Sequence, residues 1–345
     1  METSRHFLGV QATRVRCMGA SQGGTTAALG YVDADLALNC VGFLTLYPDA
    51  DTNEDSVRWR SSWTCNGAVT ALDADAPGDL GSIGRAPAIW AGTARGDVIR
   101  IAVASGNADD DGSDGVARGR AHAGIVSGIT VNATSGEVAT VGKDGVMLHG
   151  AREGRVVSET FAAGSATGGS SITWATMDTF VTSARSAGLR VWDRRLAHKA
   201  ALTFPTPRGL GDTLGLSVCS HRPHIVATAH ASPGGLACLD VRGTTRPQIW
   251  NLDGPGHAWD VRFAPPAWAS AGEPRGLLAI LEEEGPGGTL GVSRGDAIEC
   301  LAHEAGGLRS FDVSREGGDE ATVVAATRHE GLVVWRGLGR GQQPS

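Results

Sequence analysis

The feature that most constrains the fold of this chain is an internal repeat, in which a short apolar run leads to a glycine and then to a second apolar run. Six copies can be aligned, and their first runs recur every 42 to 52 residues. The first runs are AIWAGT (88–93), EVATVG (137–142), TFVTSA (179–184), HIVATA (224–229), LLAIL (277–281) and ATVVAAT (321–327), and the glycines are Gly96, Gly145, Gly188, Gly235, Gly288 and Gly331. Two such runs around a tight turn are typical of a β-hairpin. A period of this length predicts that one supersecondary unit is repeated along the chain.

The second runs carry the elements of a known repeat signature. Four residues after the repeat glycine stand Trp192 and Trp335 in two copies, and Asp193 and Asp240 occupy the next position in two copies. Histidines near glycines precede several units, as in AHAG at 121–124. This order of His, Trp and Asp resembles the WD repeat, whose units form the blades of β-propellers.

We therefore predict an all-β chain that folds as a seven-bladed WD-repeat β-propeller. Six units are readable between about residues 60 and 336, and weaker strands at 8–48 supply a further blade, closed by pairing with a strand from the far terminus. Residues 1–338 then form one domain, and residues 339–345 form a disordered tail. The 50 glycines and 14 prolines, which follow no collagen-like period, agree with many tight turns between short strands.

The repeat gives a structural role to residues that could otherwise be read as a hydrolytic triad. In WD propellers a His, a Ser or Thr, an Asp and the Trp hydrogen-bond to one another within a blade. No G-x-S-x-G nucleophile turn is present, so we predict a protein that is not an enzyme and holds no cofactor. The residues predicted to occupy structural repeat positions are His122, Asp144, Trp192, Asp193, Asp240, His257 and Trp335.

The acidic stretch at 104–120 raises the question of a metal site. Asn107, Asp109 and Asp111 fit the first ligand positions of a calcium loop, but Arg118 stands where a bidentate Glu is required. The Cys and His residues show no spacing typical of zinc ligands. We therefore predict a solvated loop and no metal.

Three residues are candidates for docking a partner. Arg195 and Arg242 each follow the blade-ending aspartate by two residues. This placement fits the ordinary end of a blade strand, and it also matches the docking box of WD-repeat substrate receptors of cullin-RING ubiquitin ligases. Trp259 is the third candidate, because a tryptophan exposed on a propeller rim is a good interface anchor.

Several longer stretches share an order and spacing that go beyond the generic repeat. They are EVATVGKDGVMLHGA, FVTSARSAGLRVWDRR, the segment from HRPHIVATAH to GHAWDVRFAP, and the final GGLRSFDVSREGGDEATVVAATRHEGLVVWRGL. In this order they resemble the small WD-repeat nucleoporins of the nuclear-pore Y-complex, the family of its forty-three-kilodalton subunit. Departures from that family are Leu239, where a Trp is usual, and the loop at 104–120.

The resemblance implies a non-catalytic scaffold subunit at the nuclear envelope, which docks on other Y-complex nucleoporins. The alternative is a substrate receptor of a cullin-RING ubiquitin ligase. Neither class requires a cofactor.

Bulk composition limits the partners and the compartment. The formal net charge of −7 argues against a sequence-independent grip on nucleic acid, which needs a basic face. The start shows no signal sequence, and no apolar run is long enough to cross a bilayer. The six cysteines form no C-x-x-C pair, which favours free thiols in a reducing compartment. We expect an intracellular protein that is a monomer when it is not in its complex. We expect it neither to contact nucleic acid directly nor to insert into a membrane.

Overall fold

The computed structural model describes most of the chain in eighteen segments. They are residues 2–21, 24–47, 56–75, 88–103, 115–152, 155–163, 168–184, 188–196, 199–206, 208–232, 235–242, 248–250, 257–264, 277–282, 287–294, 297–314, 320–329 and 331–339. Most of the predicted acidic loop and the predicted tail beyond residue 339 lie outside these segments.

The described residues form 28 β-strands and no helix. The strands are β1 (Glu2–Phe7), β2 (Gln11–Ser21), β3 (Gly24–Asp33), β4 (Leu38–Tyr47), β5 (Ser56–Cys65), β6 (Val69–Ala74), β7 (Ala88–Thr93), β8 (Asp97–Ala102), β9 (Val116–Arg120), β10 (Val126–Val131), β11 (Val138–Gly142), β12 (Gly145–Arg152), β13 (Arg155–Ala163), β14 (Ser171–Trp174), β15 (Thr179–Ala184), β16 (Gly188–Asp193), β17 (Leu202–Phe204), β18 (Thr213–Cys219), β19 (Arg222–His230), β20 (Leu236–Asp240), β21 (Gln248–Trp250), β22 (His257–Phe263), β23 (Leu277–Glu282), β24 (Gly288–Arg294), β25 (Ala297–Glu304), β26 (Leu308–Val313), β27 (Glu320–Thr327) and β28 (Gly331–Gly339). The prediction of an all-β chain is confirmed. A helix able to span a membrane is not found in the described part of the chain.

These strands assemble into small antiparallel sheets of consecutive strands. Four sheets contain four strands each, in the orders β2-β3-β4-β5, β14-β15-β16-β17, β18-β19-β20-β21 and β22-β23-β24-β25. A fifth has the order β1-β28-β27-β26. The sixth sheet has eight strands, β6 to β9 and β10 to β13, and its two halves are joined by one parallel residue pair between Arg118 and Arg155.

The first strands of the four-stranded units contact one another in a closed cycle. β2 contacts β6, and the cycle continues through β10, β14, β18, β22 and β26 back to β2. Six of the seven strands have a β-bulge close to their start, a feature that increases the twist and re-aims a side chain. The bulges fall between Ala12 and Arg14, Val69 and Ala71, Val126 and Gly128, Thr213 and Gly215, Ala258 and Asp260, and Leu308 and Ser310. The units are therefore copies of one element, in an arrangement that is consistent with a β-propeller.

The two ends of the described chain meet in the last sheet. β1 pairs antiparallel with β28, from Glu2 opposite Arg336 to Phe7 opposite Gly331. The sequence placed this pairing in a first blade at 8–48. The first four-stranded sheet instead runs from β2 to β5 and takes all its strands from its own segment. The preceding strand β1 is then available to complete the sheet of β26 to β28, which has only three strands of its own.

The apolar cores lie between successive sheets. Phe180 and Trp192 of one sheet are buried together with Val141 and Val146 of the preceding one. The same pattern closes the cycle, where apolar residues of β3 and β4 pack against residues of β27 and β28. Strand β7 is buried along its whole length, as expected for a strand covered on both faces.

Each repeat glycine begins the second strand of its hairpin or directly precedes it, as the sequence predicts. Gly96, Gly145 and Gly188 have positive φ values of 89°, 137° and 74°, a backbone region that other L-residues rarely adopt. The predicted loop at 104–120 is shorter than expected at its end, because Val116–Arg120 is strand β9 and pairs with β8. Strand β28 also continues to Gly339, the first residue of the predicted tail.

Candidate functional site

A chain of hydrogen bonds crosses the interior of the unit β10 to β13. His122 Nδ1 lies 2.6 Å from Asp144 Oδ1, and His122 Nε2 lies 2.8 Å from Thr140 Oγ1. Thr140 Oγ1 lies 2.6 Å from Nε2 of His149, and His149 Nδ1 lies 2.8 Å from Ser158 Oγ. One assignment satisfies every atom: His122 donates from Nδ1, Thr140 donates to His122, His149 donates from Nε2 and Ser158 donates to His149. His149 is then neutral.

Burial determines the electrostatics of this network. The side chain of His149 is 4% exposed, and burial, with a smaller effect of nearby His122, lowers its pKa to about 3. Burial acts to raise the pKa of Asp144, but the Ala123 N–H at 2.8 Å and the bond from His122 outweigh it, so that this pKa is lowered. A histidine with so low a pKa is a weak base near neutral pH, which makes it a poor activator of the Ser158 hydroxyl. The arrangement is suited to satisfying buried polar groups.

Sequence reasoning included His122 and Asp144 in such a network but did not include His149. The signal that could have found it is its position, four residues after Gly145, where Trp192 stands after Gly188. The two residues have the same role, since each bonds to a threonine hydroxyl of the neighbouring strand. His149 bonds to Thr140, and Trp192 Nε1 donates to Thr182 Oγ1 at 2.8 Å within its own sheet.

The other predicted repeat positions lie in separate units. Trp192 and Trp335 are each 1% exposed. Asp193 and Asp240 end strands β16 and β20. His257 is the first residue of β22, and its buried Nδ1 has no hydrogen-bond partner among the described residues.

Two of the predicted docking residues form similar surface clamps, and Arg195 Nη1 in addition lies 3.8 Å from Asp178 Oδ2. Arg195 holds Asp193 with two bonds, Nε to Oδ1 at 2.9 Å and Nη2 to Oδ2 at 2.6 Å. Arg242 holds Asp240 in the same way, at 3.1 and 2.8 Å. The bond from the Arg195 side chain and that from its backbone N–H lower the pKa of Asp193 to about 2. The arginine side chains remain 67% and 66% exposed, so both clamps are accessible to a partner.

Trp259 is the third predicted docking residue, and it lies at the bulge of β22. The register skips it between Ala258 and Asp260, and its side chain is 42% exposed. It does not lie on the strands that carry the two clamps, so the structure does not bring the three docking candidates into one cluster.

A set of charged side chains that the sequence did not predict lies on the first strands β2, β6, β22 and β26. We call this set the inner charged cluster, and it consists of Arg14, Arg16, Asp73, Asp260, Arg262, Arg309 and Asp312. Arg262 Nη1 lies 2.7 Å from Asp260 Oδ1, and Arg262 Nε lies 3.5 Å from Asp312 Oδ1. Arg16 Nε lies 3.6 Å from Asp73 Oδ1.

The cluster also links neighbouring units. Asp73 Oδ2 accepts the Val131 N–H at 2.8 Å, which joins β6 to β10. Asp312 Oδ2 accepts the Cys17 N–H at 2.9 Å, which joins β26 to β2. Hydroxyl groups do the same elsewhere in the cycle, as where Ser217 Oγ accepts the Phe263 N–H at 3.2 Å. The contacting first strands are thus held together by side-chain to backbone bonds.

The geometry of the described residues bears on metal binding and on the reactivity of the cysteines. The described residues contain no group of His, Cys, Asp and Glu that could hold a metal ion. Arg118, at the twelfth position of the rejected calcium loop, donates from Nη2 to the Thr64 carbonyl. All six cysteines are described, and none of them forms a disulfide. Burial raises the pKa of Cys65 and Cys238 to about 12, which makes these two thiols unreactive.

Neither the protein-family models nor the curated protein sequences compared with the chain match it.

Proposed function

We propose that this chain is a seven-bladed β-propeller that acts as a non-catalytic scaffold subunit, of the kind formed by the small WD-repeat nucleoporins of the Y-complex. The cycle of seven contacting first strands supports the blade number. In this arrangement the eight-stranded sheet counts as two blades, because a single residue pair joins its halves. The pairing of β1 with β28 closes the ring, as terminal strands do where a sheet would otherwise keep an open edge.

The scaffold role is supported chiefly by the residues that resemble a catalytic triad, because they bond to one another in the interior. His122, Thr140 and His149 are almost fully buried and bond to one another. The Asp–Arg clamps and Trp259, by contrast, are exposed on sheet ends and at a bulge, where a protein partner can reach them. The sequence stretches between residues 137 and 263 follow the same order as in the Y-complex nucleoporins, and for this reason we propose the scaffold role in that complex.

The cellular prediction follows from that order of stretches. A fluorescently tagged full-length protein is expected to mark the nuclear rim in spots, and affinity purification is expected to recover Y-complex subunits. The control is the same tag on a propeller of unrelated function. A diffuse distribution without these partners would contradict the nucleoporin assignment.

The second candidate function is a substrate receptor of a cullin-RING ubiquitin ligase. It is favoured by one observation, that the Asp193–Arg195 and Asp240–Arg242 clamps share one geometry and are both exposed. A guanidinium that already binds one carboxylate still has further N–H groups to offer a partner.

A double variant separates the two candidates. Changing Arg195 and Arg242 together to Ala is expected to leave the melting temperature within about 2 °C, because exposed ion pairs contribute little to stability. The variant is also expected to retain its Y-complex partners in a pull-down. Loss of a cullin-ligase adaptor at an unchanged melting temperature would instead favour the receptor. The matched control is Arg58→Ala, an exposed arginine on the edge strand β5.

A further inference from the structure

Arg14, on β2, is one of the two arginines of the inner charged cluster, with Arg309, for which no ion pair is found among the described residues; Arg16 and Arg262 are paired with aspartates. Its Nε donates to the Thr70 carbonyl at 2.8 Å, and its Nη1 donates to the Thr13 carbonyl at 2.8 Å. Among the described residues no carboxylate forms an ion pair with it, and its Nη2 donates to no acceptor. Carbonyl oxygens satisfy N–H groups but do not neutralise the charge that burial makes unfavourable.

Two of the three aspartates of the cluster use both carboxylate oxygens on other groups, and Asp260 uses one. Asp260 Oδ1 accepts from Arg262 and from the Val261 N–H, while Asp73 and Asp312 each use one oxygen on an arginine and the other on a backbone N–H of the next unit. The cluster contains four arginines and three aspartates, so one positive charge is left over.

The electrostatic environment of Arg14 reflects this imbalance. Burial lowers its pKa, Asp260 opposes the change, and the neighbouring Arg16, Arg262 and Arg309 lower the pKa further. A guanidinium nevertheless stays protonated at physiological pH. Arg14 is therefore a permanently charged group that is only partly exposed to water and is repelled by three other cations. A bound anion would relieve both penalties.

We propose that the inner charged cluster binds a carboxylate, with Arg14 as the principal ligand and Arg309 as a second cation. A planar guanidinium matches a carboxylate with two parallel hydrogen bonds. One carboxylate group neutralises the single excess positive charge. A phosphate dianion would hold both of its negative charges at the site, close to Asp260 and Asp312, whereas a dicarboxylic acid or an acidic peptide keeps its further carboxylates away from the bound one.

Two sources can supply such a group, a small dicarboxylic acid or the side chain of an acidic peptide. Trp259 lies at the bulge of β22, and Arg309 lies at the equivalent bulge of the neighbouring first strand β26. The exposed indole of Trp259 therefore holds the same position on its strand as Arg309 does on β26. The site is independent of the nuclear-pore assignment, and its test uses the purified full-length chain alone.

The test measures binding of two probes at constant ionic strength. Labelled hexaglutamate is followed by fluorescence anisotropy, and unlabelled glutarate and inorganic phosphate are added as competitors. The protein itself carries a net charge of −7, so a general attraction for polyanions is not expected to produce binding. We expect saturable binding that Arg14→Gln weakens by about tenfold or more, as for the loss of a charge-assisted pair. Arg309→Gln is expected to weaken it less.

Arg58→Gln is the matched control, since it removes the same charge from the exposed strand β5 and is expected to leave the affinity unchanged. Circular dichroism checks the fold of each variant, and Arg309→Gln keeps the test decisive if Arg14→Gln does not fold. Competition by glutarate would support a small-molecule source, and binding of hexaglutamate alone would support an acidic peptide. Absence of binding by both probes, equal binding by all variants, or tighter binding of phosphate than of glutarate would overturn the proposal.

Discussion

Trp192→Ala is expected to lower the free energy of unfolding by about 3–5 kcal/mol, the range for deleting a large buried aromatic side chain. Trp192 is 1% exposed and packs between two sheets. Its ring is stacked near Phe180 with 6.2 Å between centroids and meets Phe161 edge-on at 6.0 Å. The substitution leaves a cavity and also removes the donor to Thr182, whose buried hydroxyl then lacks that bond.

Urea denaturation at neutral pH measures this effect. Trp259→Ala is the matched control, because it deletes the same side chain at a site that is 42% exposed, and we expect a loss below about 1 kcal/mol there. Similar losses for the two variants would contradict the assignment of Trp192 to an inter-sheet core. Trp192→Phe separates the two contributions, since it fills most of the space but cannot bond to Thr182.

The outcome for Trp192 shows what a repeat makes predictable. Alignment on the glycines predicted that Gly188 opens the second strand of a hairpin and that Trp192 lies on this strand, and the structure has both there. Because side chains alternate between the two faces of a strand, an apolar face is then enough to predict which side chains are buried. This glycine and strand pattern lies within each unit and is repeated six times along the chain. It can therefore be recognised even where individual motif residues are replaced.

Features that depend on distant segments could not be predicted in the same way. The inner charged cluster joins Arg14 and Arg16 to Asp260 and Arg262, almost 250 residues away, and no local pattern indicates that these side chains meet. The exchange of a terminal strand between sheets depends on which sheet lacks a fourth strand. That count requires the boundaries of every unit, including the weak first one. Both features depend on how the first and last units meet. The repeat implies that these units meet, but it does not predict which residues pair there.

His149 was missed for a different reason, because its chemistry differs from that of the residue it replaces. A tryptophan at this repeat position supplies one donor and cannot titrate. A histidine supplies a donor and an acceptor, so the hydrogen-bond chain extends across the sheet to Ser158. The substitution also introduces a buried group that can gain a proton, and this has a measurable consequence.

The protein is expected to lose stability as the pH falls below about 6.5, and His149 is a main cause. Its pKa is about 3 in the folded chain and about 6.5 in the unfolded chain. Above the unfolded value both states are neutral and the stability is complete. Below it the unfolded chain binds a proton that the folded chain cannot, so stability is lost progressively until the folded pKa is reached. Between pH 7.5 and pH 5.0 the linkage amounts to about 2 kcal/mol. Burial also lowers the pKa of His230, which adds a loss in the same direction.

Urea denaturation of the wild type at several pH values gives the curve, and His149→Gln identifies the residue. Glutamine keeps a donor and an acceptor but cannot be protonated, so the variant is expected to be less stable at pH 7.5 yet to lose about 2 kcal/mol less on acidification. His329→Gln, which removes an exposed histidine, is the control and is expected to retain the wild-type slope. If His149→Gln kept the full pH dependence, the buried network would not be its source. If the wild type were equally stable at pH 7.5 and 5.0, His149 would have to be accessible to protons in the folded state, which its burial against Thr140 and Ser158 opposes.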